Sequence, residues 1–416
     1  MNLGGFMKNR VAITGMGVIS PIGNNLKDFW SSLQLGLCGI EEITAFDTTD
    51  FSVKLAAEVK GFDPTNHMDK KEAKRMDRFC QFAVAASEMA IEDSGLNLKS
   101  LNSDRVGVII GSGVGGINTI ETELKKMSEK GPSKVSPFFI PMIISNMASG
   151  LVAIKFGAKG VNMSVVTACA SGANAIGESF KKIQSGMSDV MIAGGAEASI
   201  TPATIAGFSS MTALCTSKDK NRASIPFDKE RSGFVMGEGA GVVILENMER
   251  AISRGAHIYA ELVGYGATCD AYHMTTPEPN GTGASSAMLA AIEDASIKKE
   301  SIGYINAHGT STPYNDKFET LAIKKVFGER AYDIPVSSTK SMTGHLIGGA
   351  GAIEAIVSSM ALQDGYLPPT INHLVHDECC DLDIIPNKGR HASVAYALSN
   401  SLGFGGHNTS LLFKKS

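Results

Sequence analysis

Short apolar runs rich in β-branched residues alternate with longer amphipathic segments over most of the chain. Runs of about four to eight such residues between turn signals predict β-strands. The predicted strands cover residues 11–14, 105–110, 162–166, 189–193, 241–246, 302–306, 335–338 and 393–398. Because these runs are nearly continuously apolar, both faces of the sheet must be covered, which predicts an α/β layered fold.

Two segments show helical spacing most clearly. Residues 171–185 carry one apolar face, made of Ala173, Ile176, Phe180 and Ile183. Residues 346–363 repeat the pattern, and Gly365 follows as a helix stop. The proline- or glycine-containing segments 132–141 and 275–283 are predicted to be long loops, which in compact enzymes often serve function.

Composition narrows the class of protein. The 416 residues are 43% hydrophobic, enough for two domains or one duplicated domain. The net charge of −4 gives no general attraction for nucleic acid or for a membrane surface. Seven scattered cysteines without zinc spacing favour a reducing compartment and predict no metal ligands. No apolar stretch reaches the ~18 residues of a membrane span and no signal peptide is recognisable, which predicts a cytoplasmic protein.

A polar, helix-like segment at residues 249–257 interrupts the alternation of apolar strands and amphipathic helices, although no internal repeat is visible. We therefore expect an N-terminal half at residues 1–255 and a C-terminal half at residues 256–416. Met7, followed by three polar residues, is a candidate natural start, so residues 1–6 are expected to be an extension.

Cys169 is the first candidate for chemistry, because it lies between an apolar run and the helix predicted at 171–185. A helix N-terminus presents unpaired N–H groups and the positive end of the helix dipole. That setting favours the thiolate, which is the nucleophilic form of cysteine. We therefore expect Cys169 to act as a nucleophile.

His308 and His345 each follow a predicted strand and stand among small residues. Ligands gather at such strand ends in α/β sheets. Either histidine alone is as well explained by a structural role, but two of them with a cysteine at a third such position indicate a site. The glycine-rich turn at 403–408 adds backbone N–H groups that can face a developing oxyanion.

Residues 111–116 match the spacing G-x-G-x-x-G after a predicted strand. A dinucleotide site also needs an acidic residue at the end of a second strand about 20 residues later. The chain instead continues through the lysine-containing segment 125–134, so we expect these glycines to permit close backbone packing.

Four motifs, TACASG, NAHGTST, KSMTGHLIGGAG and GFGG, are highly specific in combination. With them the chain resembles, from end to end, the elongating type II β-ketoacyl-acyl-carrier-protein synthases, which are condensing enzymes. The resemblance implies a thiolase-like fold of two similar α/β halves in a five-layer αβαβα arrangement. It implies a decarboxylating Claisen condensation between a carrier-bound acyl chain and malonyl-acyl-carrier protein in type II fatty acid elongation. The product is a 3-oxoacyl-acyl-carrier protein, formed through an acyl-Cys169 thioester; the alternative is a condensing subunit of a type II polyketide pathway.

The resemblance also assigns roles to single residues. The catalytic set that it implies is Cys169, His308, His345, Lys340 and Phe404, and the supporting set is Glu354 and Asn400. Cys169 takes the acyl chain, while its backbone N–H and that of Phe404 form the oxyanion hole. The two histidines stabilise the enolate that decarboxylation leaves.

Substrate contacts follow in the same way. By the resemblance, Val114 and Phe138 line the acyl pocket, and Phe138 reaches in from the partner subunit of a homodimer. By the resemblance, the phosphopantetheine arm is contacted by Thr275, Thr310 and Thr312. The acidic acyl carrier protein is expected to dock on a basic patch made of Lys70, Lys71, Lys74 and Arg75, with residues 218–222 as a candidate addition to it. The chain-length preference stays open, because relatives accepting longer chains usually have a larger residue where Val114 stands.

No organic cofactor is implied, and a structural monovalent cation near the site stays undecided. The one departure in the motifs is His407, where a threonine is more often expected. Initiating synthases with Cys-His-Asn and thiolases with a second catalytic cysteine are disfavoured by the two histidines. A non-catalytic chain-length factor is disfavoured by the presence of Cys169, and a cysteine hydrolase by the lack of an acidic or amide orienting residue.

Overall fold

The computed structural model describes residues 8–416, so the expected extension at residues 1–6 lies outside the described residues. The described strands are β1 Val11–Ile19, β2 Glu41–Glu42, β3 Leu55–Ala56, β4 Val106–Gly111, β5 Asn162–Met163, β6 Val190–Glu197, β7 Gly239–Asn247, β8 Ala260–Cys269, β9 Ile302–Asn306, β10 Val336–Ser337, β11 Tyr366–Leu367, β12 Arg390–His391, β13 Tyr396–Gly403 and β14 His407–Lys415. The described α-helices are α1 Leu26–Leu35, α2 Lys70–Ala73, α3 Arg78–Ser94, α4 Ile117–Lys130, α5 Phe139–Ile143, α6 Met147–Phe156, α7 Ser171–Gln184, α8 Pro202–Ser210, α9 Met248–Ser253, α10 Thr282–Asp294, α11 Pro313–Phe327, α12 Lys340–Thr343 and α13 Ala350–Asp364.

Ten of the strands form one mixed sheet in the order β10-β9-β13-β14-β8-β1-β7-β6-β4-β5. When the five strands of each half are counted in chain order, both halves run 3-2-4-5-1 from the outer edge to the centre. The halves meet where β1 pairs antiparallel with β8. The shared order is that of a repeated unit, which the residues themselves do not reveal. The predicted boundary at 255/256 falls between α9 and β8 and stays a prediction.

Two helices are sandwiched between the halves of the sheet. Helix α7 contacts β4, β6 and β7 of one half and β8 and β14 of the other, and α13 likewise contacts strands of both halves. Helices α3 and α6 pack on the N-terminal strands, while α10 packs on β8 and β14 and against α11. The order helix, sheet, helix, sheet, helix is the predicted five-layer arrangement.

The central position of α13 explains its composition. Every residue from Ala350 to Leu362 is buried. A helix covered on all sides must be apolar or small along its whole circumference. This helix is accordingly rich in alanine, isoleucine and serine, and its one charged residue in that buried stretch, Glu354, has a buried cationic partner in Lys340.

Several predicted elements need correction. The segment predicted as a loop at 132–141 contains a short 3₁₀ turn at 132–134 and the first three residues of α5. Helix α10 already begins within the loop predicted at 275–283. The strand predicted at 162–166 is limited to β5. Strand β8 was not predicted, because Gly264 and Gly266 interrupt its apolar pattern. A Cβ at these positions would lie 2.1 and 2.0 Å from backbone oxygens of α10, so the glycines permit close helix–strand packing.

No helix in the part of the chain from residue 8 onward is long and apolar enough to cross a membrane. All seven cysteines are free. The cytoplasmic location stays a prediction.

The central layer gives a stability prediction with a matched control. A Cβ on Gly177 in α7 would lie 2.3 Å from the ring of Tyr265, whose hydroxyl is hydrogen-bonded to Asn174 at 2.8 Å. Gly177→Ala should therefore lower the free energy of unfolding by about 1–3 kcal/mol despite the better helix propensity of alanine. Gly207→Ala, in the exposed α8 with nothing within 4 Å, should be neutral or stabilising by up to about 1 kcal/mol. Urea unfolding measures both, and equal effects would contradict this packing argument.

Candidate active site

Cys169 lies in a short 3₁₀ turn, Ala168–Ala170, that runs directly into α7. Ala168 has a left-handed backbone with φ of +49°, a conformation that costs energy for a residue with a side chain. The Ser171 hydroxyl holds this turn by accepting from the Thr167 N–H at 2.9 Å and donating to the Ala168 carbonyl at 2.6 Å. The strained turn therefore fixes the direction of the Cys169 side chain.

His308 follows β9, and His345 follows α12. The two rings meet edge to face with centroids 5.2 Å apart. The Cys169 sulfur and one ring nitrogen of each histidine all lie within 4.8 Å of one another, and all three residues are buried. The structure thus brings together the three residues that the sequence analysis placed in one site.

Glycines make this meeting possible. A Cβ on Gly172, in the first turn of α7, would lie 2.7 Å from the carbonyl oxygen of Gly348, just before α13. A Cβ on Gly351 would lie 2.8 Å from the Cβ of Ala173. The N-terminal ends of α7 and α13 therefore touch backbone to backbone, which places Cys169 beside His345.

Burial governs the protonation of all three groups. Desolvation, reinforced by the nearby Lys340 ammonium, lowers the pKa of His308 and of His345 well below the usual 6.5, so both imidazoles are neutral at pH 7. Desolvation raises the pKa of Cys169 to about 12, although Lys340 and the backbone N–H groups of Phe404 and Cys169 oppose the rise. The expectation that the helix N-terminus favours a thiolate is therefore wrong for the unliganded site, because burial outweighs the dipole.

Lys340 and Glu354 form a buried ion pair beside the histidines. Both side chains are almost fully enclosed, so neither charge is screened by water. The charge of Lys340 acts on Cys169, His308 and His345 alike. Burial is the main cause of the lowered pKa of both histidines, and the Lys340 ammonium of this pair adds to it.

A second buried carboxylate holds the loop of His308. Glu319 on α11 accepts from the backbone N–H of His308 and of Gly309, each at 2.8 Å. The Asn400 side chain donates to the same carboxylate at 3.3 Å. Burial raises the pKa of Glu319 to about 7. Asn400 thus contacts Glu319, the residue that holds the backbone of His308. Glu319 was not predicted, because nothing in its sequence context distinguishes it from a surface acid.

Phe404 is the first residue of the tight turn between β13 and β14. Its backbone N–H and that of Cys169 lie close enough to the Cys169 sulfur to oppose the rise in its pKa. Gly403 allows this approach, because a Cβ there would lie 2.7 Å from the carbonyl oxygen of Thr167. Two N–H groups converging on the nucleophile have the geometry of an oxyanion hole. Gly405 and Gly406 both have positive φ, of +85° and +78°, which the turn after Phe404 requires.

A cavity of ≈ 430 Å³ opens onto these groups. Seven predicted residues line it: Cys169, His308, His345, Phe404, Thr275, Thr310 and Thr312. The hydroxyls of Thr310 and Thr312 are 2.9 Å apart. Phe208 also lines the cavity, with its ring centroid 6.2 Å from that of Phe404, and was not predicted.

Other predicted residues lie away from this cavity. Val114 and Phe138 are partly buried but do not line it, and their role in an acyl pocket stays a prediction. The basic residues of α2 and the turn after it are exposed and also lie off the cavity wall, namely Lys70, Lys71, Lys74 and Arg75. The Arg75 guanidinium lies 4.5 Å from the ring centroid of Phe138. In the second basic segment, Arg222 is already paired with Asp228 and Glu230.

The glycine loop at 111–116 has an internal partner. The fully buried Glu197 carboxylate accepts from the backbone N–H of Gly113 at 2.7 Å, of Gly348 at 3.0 Å and of Val114 at 3.3 Å. The amides that would hold a phosphate in a nucleotide site are thus bound to a carboxylate of the protein itself. Glu197 ties the first glycine loop to the segment after His345, a role that the sequence analysis missed.

The arrangement defines a class of protein. A buried cysteine, two neutral histidines and two converging N–H groups in one cavity suit acyl transfer followed by stabilisation of a second anion. Comparison with known proteins agrees with this chemistry. Residues 8–251 match the family model "Beta-ketoacyl synthase, N-terminal domain", and residues 259–373 match "Beta-ketoacyl synthase, C-terminal domain".

Similar proteins cover nearly the whole chain. A 3-oxoacyl-[acyl-carrier-protein] synthase 2 of Synechocystis is 56% identical over 409 residues, 98% of each chain. One from Staphylococcus aureus is 54% identical over 406 residues, again 98% of each. Among solved structures, a β-ketoacyl synthase from Burkholderia phymatum matches with a TM-score of 0.91 at 34% identity, covering 98% of this chain and 100% of that chain.

The chain belongs to the β-ketoacyl synthase family. This membership confirms the predicted family, the thiolase-like fold and the enzyme class, an acyltransferase that condenses acyl groups.

The raised pKa of Cys169 predicts how the thiol reacts with pH. Since the thiolate fraction rises tenfold per pH unit below the pKa, alkylation of Cys169 by iodoacetamide should accelerate about tenfold per unit from about pH 7 to 10. Quantitative mass spectrometry of the Cys169 peptide measures the rate, with the peptide of the exposed Cys379 as the internal control. A plateau below about pH 8 would show a thiolate already formed in the resting enzyme and contradict this expectation.

Proposed function

We propose that the protein elongates fatty acyl chains by decarboxylating Claisen condensation, transferring an acyl group from an acyl carrier protein to Cys169 and then to a malonyl-derived carbanion. The observation that carries this proposal is the grouping of Cys169 with two neutral histidines within 4.8 Å in one cavity. A hydrolase needs one imidazole to activate water. Two imidazole N–H donors with no carboxylate bound to either ring suit an enolate instead.

In the first half-reaction the Cys169 sulfur attacks the carbonyl carbon of the carrier thioester. A neighbouring neutral imidazole accepts the thiol proton and returns it to the departing thiolate of the carrier arm. The oxyanion of the tetrahedral intermediate is stabilised by the N–H groups of Cys169 and Phe404. Because these donors are already in place, little reorganisation accompanies the formation of charge.

In the second half-reaction the malonyl thioester loses carbon dioxide. The electron pair of the broken C–C bond passes into an enolate, whose oxygen accepts from His308 and His345. The enolate carbon then attacks the acyl-Cys169 carbonyl, and the thiolate of Cys169 leaves and takes up a proton from solvent. Neutral imidazoles suit this step, because each donates one N–H without neutralising the enolate by full proton transfer.

Fatty acid elongation is favoured over a polyketide pathway by the degree of similarity. Relatives at 54–56% identity are named 3-oxoacyl-[acyl-carrier-protein] synthase 2. The type II polyketide ketosynthase solved with its acyl-carrier protein is 34% identical, at a TM-score of 0.92. The threonines Thr275, Thr310 and Thr312 at the cavity wall are the proposed contacts of the phosphopantetheine arm. The basic residues of and after α2 are the proposed contacts of the acidic carrier.

A second copy of the chain is the proposed partner of one apolar face. The face is continuous over α4, α5, α6 and the edge strand β5, and its exposed apolar residues are Leu124, Met127, Ile140, Ile144, Ile154, Met163 and Val166. Strand β5 pairs on one side alone, with β4, so its other side offers free backbone groups. Phe138 is the residue before α5 on this face, which suits its proposed entry into the acyl pocket of the partner.

A monovalent cation is a further proposal, supported by unpartnered buried oxygens. Asn306 Oδ1 and Glu354 Oε2 have no hydrogen-bond partner, and neither has the Ser399 hydroxyl, which β13 places in register with Asn306. Oxygens of this kind, and the Glu319 carboxylate that Asn400 beside Ser399 contacts, are the ligands that such a cation prefers. When bound, it would supply a positive charge that helps to keep Glu319 ionised.

Acylation of Cys169 tests the proposed function directly. After incubation with an acyl-carrier protein, mass spectrometry should find one acyl adduct per chain, on Cys169. Cys169→Ala should reduce condensation at least about a thousandfold, because the covalent intermediate is lost. Cys379→Ala, at an exposed thiol outside the site, should retain both adduct and activity. Condensation by the Cys169→Ala variant would refute the assigned nucleophile.

The proposed dimer has its own test. Ile154→Asp places a charge in the apolar face, at a side chain that is 76% exposed in the single chain, and should shift the mass measured by light scattering from dimer to monomer. Leu374→Asp is the matched control, because Leu374 is 73% exposed but lies outside that face. A monomeric parent protein, or a dimer that tolerates Ile154→Asp, would overturn the proposed interface.

A further inference from the structure

The grouping of Cys169, His308 and His345 has a second chemical property. A cysteine sulfur and two imidazole nitrogens within 4.8 Å of one another are a donor set typical of zinc. Three protein ligands and one open position are the usual pattern of zinc sites that exchange their fourth ligand. Here the open position faces the cavity, which also provides a path of entry for an ion.

The ring nitrogens of the histidines support this property independently. His308 Nδ1 and both ring nitrogens of His345 are buried and have no hydrogen-bond partner. Buried polar atoms in folded proteins normally have a partner, so such atoms indicate a missing ligand. Metal-binding histidines usually donate their second ring N–H to a carboxylate or carbonyl. The absence of such a partner here leaves both rings free to turn toward a metal but lowers the expected affinity.

The distances require only a small contraction. Zinc bonds of about 2.3 Å to sulfur and about 2.0–2.1 Å to nitrogen place tetrahedral ligand atoms roughly 3.3–3.6 Å apart. The observed limit of 4.8 Å exceeds this by little more than an ångström. Rotation of the His308 and His345 side chains toward Cys169, whose direction the turn fixes, supplies such a movement without a change of fold.

We infer that the acyl-free enzyme binds one thiophilic divalent cation, with zinc as the preferred ion, through Cys169, His308 and His345, and that this binding blocks acylation. On binding, the Cys169 S–H bond breaks, its proton passes to solvent and the thiolate forms the metal–sulfur bond. The acyl-enzyme lacks this ligand, because its sulfur is held in a thioester. Zinc and the acyl group therefore exclude each other. The inhibitory consequence depends on the proposed role of Cys169, whereas the metal site itself does not.

A nearby positive charge opposes metal binding, and the type of ligand atom sets which metal is bound. The Lys340 ammonium acts on all three ligands and disfavours a second cation, although its own charge is paired with Glu354. Hard cations such as Mg²⁺ and Ca²⁺ prefer oxygen ligands and gain nothing from sulfur or imidazole. The site is therefore expected to select Zn²⁺ and Co²⁺ and to reject Mg²⁺.

Cobalt spectroscopy on the full-length, metal-free enzyme tests the inference. Titration with CoCl₂ should produce a thiolate-to-cobalt absorption band that saturates at one Co²⁺ per chain, and ZnCl₂ should abolish the band while MgCl₂ should not. Cys169→Ala and His345→Ala should each weaken binding at least about tenfold, since even partners of metal ligands change affinity by 10–100-fold. Circular dichroism checks that both variants are folded.

Two controls make the result decisive. Cys379→Ser removes an exposed thiol and should leave the band unchanged; loss of the band in this variant, or its persistence in Cys169→Ala, would overturn the site. Prior acylation of Cys169 from an acyl-carrier protein should abolish the band, and Zn²⁺ should slow acylation competitively. Normal acylation without any cobalt band would refute the metal site and leave the proposed condensation intact.

Discussion

The contact between the N-terminal ends of α7 and α13 is the constraint on which the rest of the site depends. Gly172 and Gly351 lie where a side chain on either helix would collide with the other segment. Only because these backbones touch does the turn of Cys169 lie beside the segment of His345. The central layer is therefore both the core of the molecule and the support that positions the site residues. Close packing and catalysis both require that Gly172 and Gly351 have no side chain.

Burial then sets the chemistry of the groups that packing has assembled. The same desolvation that raises the pKa of Cys169 to about 12 lowers the pKa of both histidines. The site thus rests in an uncharged state, thiol beside imidazoles, with the buried Lys340–Glu354 ion pair nearby. Charge appears only as the reaction proceeds, as an oxyanion or an enolate, and hydrogen-bond donors are already aimed where it appears. This agrees with stabilisation of transition states rather than of a preformed thiolate.

Much of this was accessible from the sequence, and the exceptions have physical causes. The α/β class, the helices at 171–185 and 346–363, and the grouping of Cys169 with His308 and His345 follow from periodicity and from motifs at strand ends. The duplicated strand order was not accessible, because topology can repeat while residues diverge. Glu197 and Glu319 were missed for a related reason: each accepts backbone N–H groups from segments distant in sequence, and no local pattern marks such an acid. The protonation of Cys169 was predicted with the wrong sign, since a helix dipole can be read from sequence and the depth of burial cannot.

The neutral resting state also links the two properties proposed for the site. A nucleophile poised as a thiolate would attract cations continuously, whereas a thiol must first lose its proton before it can bind one. Burial thus moderates the affinity of Cys169, His308 and His345 for zinc without removing it, because the ligand atoms must remain near each other for condensation. Once the acyl group is on the sulfur, the third ligand is lost and the histidines are left free to act on the malonyl group. An enzyme kept acylated is on this argument protected from thiophilic metals, and an enzyme deprived of acyl donors is not.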